Sequence, residues 1–261
     1  MRVRGLLLFF CIAVSAFALL PALAAAKPTC GGKPATIVGT AGNDTLVGHQ
    51  RADVIYGGAG NDTIKGLGAD DVICGGEGDD TIHGGSGSDT IYGEGGNDRI
   101  DGDRGNEHIY GGAGNDYLNE DEGDGWVYGG AGNDTLIGYI GIDKLHGGAG
   151  NDRISGGIGF DTLDGEGGDD TIAPEKGHDH VDGGPGSDTV DYSDEPALVE
   201  VDLEKEKSLD SAGVDELISI ENIIGSRFDD VLLGTPGPNV LTGGPGNDRI
   251  DGRGGGDTIT Q

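Results

Sequence analysis

The sequence predicts an all-β solenoid built from short glycine-rich turns. Three observations predict it: a nine-residue period that runs without insertion, an aliphatic residue at one fixed place in each period, and a composition far from that of an ordinary packed domain. Of 261 residues, 56 are Gly, where an average protein carries roughly 7%.

Residues 39–191 divide into 17 consecutive nonapeptides, and four more fill 225–260. The six residues GGAGND occur at 57–62, 111–116, 129–134 and 147–152. The eighth position is aliphatic in every unit, from Leu46, Ile55, Ile64 and Ile73 to Val190, and again at Leu232, Leu241, Ile250 and Ile259. One apolar side chain per nine residues makes no core by itself; it is buried only when units stack. Positions seven to nine alternate polar, aliphatic, polar, the pattern of a very short strand with one face inward. Positions one to six read as turn rather than strand. Glycines at one, two and four permit positive φ, and an Asp at six closes the loop. That Asp is kept in 18 of 21 units, the exceptions being Glu107, Gly125 and Asn239.

Charge narrows the function. With 47 acidic and 16 basic residues the formal charge is -31. Nucleic acid is excluded as a partner because both surfaces would be negative. So acidic a chain with so little apolar surface would stay disordered unless something neutralised it. Cations are therefore the implied partners. Calcium is a hard ion that takes six to eight oxygens from carboxylates and carbonyls, and a glycine loop closed by Asp offers both.

The units follow GGxGxDxUx, with U aliphatic, and in this the chain resembles the RTX (hemolysin-type) calcium-binding repeat proteins. The resemblance implies a right-handed parallel β-roll of two nonapeptides per turn, with several calcium ions held between stacked turns. As metal ligands it implies Asp44, Asp53, Asp62, Asp71, Asp80, Asp89, Asp98, Asp116, Asp134, Asp143, Asp152, Asp161, Asp170, Asp179 and Asp188, then Asp230, Asp248 and Asp257.

With two units per turn, alternate units lie on opposite edges. Edge A, which starts at Gly39, keeps Gly at position four and Asp at position six throughout. Edge B, which starts at Gly48, carries Arg51 and Ala69 at position four and Glu107 and Gly125 at position six. The expectation is an intact calcium ladder on A and a patchy one on B, defective where it touches Glu107 or Gly125. Edge B also carries Tyr56, Tyr92, Tyr110 and Tyr128 in its ninth positions. Stacked rings there would brace adjacent turns; the alternative is a glycan or cell-surface contact.

The ends and the interruption complete the organisation. Residues 1–26 join a basic start, Arg2 and Arg4, to an apolar run and the small residues PALAAA. That is a secretory signal, which implies secretion and leaves no membrane span once removed. Cys11 would leave with it. Cys30 and Cys74 then form an even pair, read as a disulfide in an oxidising compartment, the alternative being two separate thiols. Residues 27–38 are expected as an N-terminal cap and 39–191 as the roll. Residues 192–224 carry no repeat and are expected as a β insert that caps it, with 225–261 as a second short roll. No HExxH, G-x-S-x-G or Walker lysine occurs, so the reading is a calcium-binding protein rather than an enzyme.

Overall fold

A computed structural model describes residues 27–261; the expected signal, residues 1–26, lies outside the described residues. Successive strands alternate between two facing sheets, and each pairs in parallel with the strand eighteen residues on. Ile64 lies opposite Ile82, Ile100 opposite Leu118, and Ile109 opposite Val127. Among the described residues the sheets have twelve and fourteen strands, beside a two-stranded N-terminal ribbon. This is a parallel β-solenoid. Its core is a double file of eighth-position side chains, with Ile55 through Val190 fully or almost fully buried between the sheets.

The strands are longer than the alternating triplets suggest. Thr63–Gly68 and Thr81–Ser86 each span positions seven to nine and then positions one to three of the next unit. The expectation that the first six positions are turn is therefore corrected for the first three. A Cβ on Gly57, at position one, would overlap the carbonyl oxygen of Gly75 and approach the Asp62 carboxylate at 2.5 Å. Glycine is thus demanded by close stacking of extended backbone. Position two has positive φ in most units even where it is not Gly, as at Glu94 (75°), Asp103 (71°) and Tyr139 (77°).

The expected second roll is also corrected, because 225–261 continues the same two sheets. In the twelve-stranded sheet Thr189–Asp191 pairs with Asn222–Ile224, which pairs with Val240–Thr242. In the other sheet, Glu216–Ile218 pairs with His180–Asp182, and an antiparallel pair, Glu200–Asp202 with Lys207–Leu209, is spliced in before Val231–Leu233. The splice hides two degenerate units. Asp215 and Leu217 occupy sixth and eighth positions, as do Glu221 and Ile223, and Asp215 and Glu221 receive the N–H groups of Asp179 (3.1 Å) and Asp188 (2.9 Å).

At the other end the stack begins before Gly39, since Ile37–Val38 pairs with Ile55 and Tyr56. Cys30 and Cys74 are bonded, with Cα atoms 5.7 Å apart, and pack with Val72 against Val54, Tyr56 and Tyr92. Closing a loop of 44 residues removes about 4 kcal/mol of chain entropy from the unfolded state. Cys30→Ser should therefore lower the midpoint of thermal unfolding. Equal midpoints for the two proteins would show that the bond adds nothing to the stack.

Candidate metal centre

The loops on each edge stack so that most sixth-position carboxylates span two turns. On edge A the Oδ1 of Asp62 accepts the backbone N–H of Asp44 at 2.7 Å, and that of Asp80 accepts the N–H of Asp62 at 2.7 Å. The series runs unbroken through Asp98, Asp116, Asp134, Asp152, Asp170 and Asp188. On edge B it runs from Asp53 to Asp89, lapses at Glu107 and Gly125, and resumes with Asp143 accepting the N–H of Gly125 at 2.9 Å. It then continues through Asp161 and Asp179.

The second oxygen decides the chemistry. In Asp62, Asp71, Asp80, Asp89, Asp98, Asp116, Asp134, Asp143, Asp152, Asp161, Asp170, Asp179, Asp188 and Asp248 the Oδ2 atom is buried with no hydrogen-bond partner. Leaving one carboxylate oxygen in that state costs on the order of several kcal/mol. Burial pushes Asp98, Asp161, Asp170 and Asp179 up to about 7, against the N–H bond from the preceding turn and with help from neighbouring carboxylates. The same causes push Asp71, Asp80, Asp89, Asp134, Asp143 and Asp188 up to about 6. A file of inward-facing oxygens beside glycine carbonyls is a donor set for a hard cation.

Four expected ligands differ. Asp44, Asp53 and Asp230 have Oδ2 closed by the N–H of the position-two residue, from Thr40 (2.6 Å), His49 (2.8 Å) and Ser226 (2.7 Å). These units have Thr, His or Ser where most others have a residue at positive φ, and their loops close on themselves. Asp257 lies half-buried in the last turn, its Oδ1 accepting the N–H of Asn239 at 3.0 Å.

A second ladder was not read from the sequence. The position-five side chains Asn97, Asn115 and Asn133 accept the N–H of position five one turn later, at 2.7–2.8 Å. These bonds point toward the C-terminus while the Asp bonds point back, so each loop is clamped from both sides. The recurrence of Asn or Asp before the ligand Asp was its signal.

The tyrosines stack as rungs. Tyr92, Tyr110, Tyr128 and His146 have ring centroids 4.9, 5.2 and 4.9 Å apart and nearly parallel planes. Tyr56 stands apart, packed on the disulfide. Ring faces are spent on one another, leaving edges and hydroxyls for other contacts.

No helix among the described residues is long and apolar enough to cross a membrane. A search of curated proteins finds no match to the chain. The family model for the RTX calcium-binding nonapeptide repeat (4 copies) matches repeatedly, in overlapping stretches that together span residues 35–194 and again 224–259. That span contains all fourteen sixth-position aspartates with an orphaned oxygen, and the repeats imply multiple calcium ions. The chain belongs to the RTX calcium-binding nonapeptide repeat family.

Proposed function

We propose that the protein is exported and takes up calcium between its stacked turns outside the cell, so that ion binding and folding are one event. The observation that carries this reading is the file of buried, partnerless Asp oxygens. Calcium would satisfy them, cancel their mutual repulsion and tie each turn to the next. Export is supported by the signal-like residues 1–26 and by the Cys30–Cys74 bond, which suits an oxidising compartment.

Calorimetric titration of the mature chain tests it, with uptake of several calcium ions per molecule as the expected result. Asp98→Asn should reduce the uptake, because it removes charge from an orphaned site. Asp44→Asn should leave the uptake nearly unchanged, because Thr40 already occupies that carboxylate. Absence of binding at millimolar calcium would end the reading.

A second reading is a calcium-stabilised adhesin or matrix-binding protein that uses the row Tyr92, Tyr110 and Tyr128. The continuous aromatic file favours it. Replacing all three with Ser without loss of glycan or cell-surface binding would remove it.

A further inference from the structure

Edge B departs from the repeat twice within one unit, and the structure shows that the two departures meet. Unit 120–128 reads EDEGDGWVY: the sixth position is Gly125 instead of Asp, and the first is Glu120 instead of Gly. Elsewhere in 39–191 only Pro174 replaces the first-position Gly. A Cβ built on Gly125 would overlap Cγ of Glu120 and lie 2.6 Å from its Cδ and Oε1. The Glu120 side chain therefore fills the space that a sixth-position Asp would take. Gly125 lies outside the positive-φ region, so its backbone does not call for glycine; the room for Glu120 does.

One turn earlier, Glu107 occupies the sixth position of the stacked loop. Both glutamates are fully buried and face each other near the Glu107 backbone N–H, and none of their four carboxylate oxygens makes a well-formed hydrogen bond. In the flanking aspartates Asp89 and Asp143 one oxygen accepts a backbone N–H and only the other is free. The glutamate pair thus offers twice as many free oxygens per residue, at the place where the hydrogen-bond ladder lapses. Burial raises both carboxyls far above the ordinary range, and for Glu120 the charges of Asp143 and Glu107 add to the rise. Two adjacent buried carboxylates with only the Glu107 backbone N–H beside them require a cation or a proton.

We propose that Glu107 and Glu120 together hold a calcium ion between turns 102–119 and 120–137, the carboxylate absent from Gly125 being delivered from five residues earlier. Edge B is then continuous in buried charge although it is interrupted in motif, and the sites expected to be defective are rebuilt by relocation. The inference rests on the calcium reading above.

Trp126 supplies a local probe. It is the protein's single tryptophan, and its backbone N–H donates to the Glu107 carbonyl at 2.8 Å. Terbium, a calcium mimic, would be sensitised by it only from nearby sites. The double variant Glu107→Gln/Glu120→Gln should bind at least one calcium ion fewer than wild type by native mass spectrometry, and should lose at least half of the tryptophan-sensitised terbium emission. Asp62→Asn, on edge A near the N-terminal end, should lose calcium and keep that emission. The rearranged variant Glu120→Gly/Gly125→Asp should fold and keep the wild-type ion count. An undiminished count or emission in the glutamine variant overturns the proposal, as does a lost ion in the rearranged one. A wild-type chain that binds no calcium would instead defeat the broader reading, so the two failures are distinguishable.

Discussion

Chelating calcium at pH 8 should abolish the far-UV circular dichroism β signal of the mature protein, and restoring calcium should return it. Each eighteen-residue turn buries only two aliphatic side chains, such as Ile100 and Ile109, while ordering every backbone bond in that turn. Against this thin core stand fourteen sixth-position aspartates with buried partnerless oxygens, most of them one strand from the next along an edge. At pH 8 all of them would be ionised in the unfolded chain, and folding without an ion would force them together.

Acid should partly replace calcium. Carboxyls such as Asp98, Asp161 and Asp179 are raised to about 7 in the ion-free fold, against about 4 when unfolded. A raised acid binds its proton more tightly folded than unfolded. Its protonated form therefore supports the fold fully below about pH 4, and that support is lost as pH rises through about 7. In chelator, the β signal should be larger at pH 5 than at pH 8. With calcium present the order reverses, because ions and protons compete for the same oxygens. A chelator-resistant signal at pH 8 would contradict the coupling of ion to fold.

Gly132→Ala should be among the most damaging single substitutions, destabilising the calcium-loaded protein by roughly 3–5 kcal/mol. Gly132 sits at position four with φ of 137°, and an added Cβ would overlap the carbonyl oxygen of Gly114 in the turn below. Both penalties act together: a backbone conformation closed to L side chains, and backbone atoms that cannot move without parting two turns. Position two is the contrast, because Glu94 and Tyr139 tolerate positive φ there. Urea unfolding in saturating calcium measures the difference. A loss below about 1 kcal/mol would mean that the turns do not need this close approach.

The turn length, the core file and the file of stacked aspartates were legible because each is written in side chains at a fixed spacing. Ile64, Ile82 and Ile100 announce one inward face, and Asp62, Asp80 and Asp98 one edge. The extension of the strands through Gly66 and Gly84 was not legible, since residues without side chains carry no alternation to read. Asp215 with Leu217 and Glu221 with Ile223 keep the D-x-U spacing, but their glycine loops have eroded and a hairpin separates them from the regular array. Glu120 and Gly125 looked like separate losses along the chain. Only the reach of one side chain into the other's place makes them a single exchange.

The spliced hairpin also governs how the molecule can be assembled in time. Through 39–191 the order of strands in space copies their order in the chain, so each finished turn is a template for the next as the polypeptide emerges. Past His180–Asp182 that rule stops. The next neighbour in the sheet is Glu216–Ile218, while Glu200–Asp202 waits for Val231–Leu233. Zippering of that sheet from the N-terminal side therefore waits for residues 200–218, because Glu216–Ile218 docks first and Glu200–Asp202 then offers the edge on which Val231–Leu233 builds. The hairpin is a checkpoint: in that sheet the last loops have no edge to build on until residues 200–218 are in place.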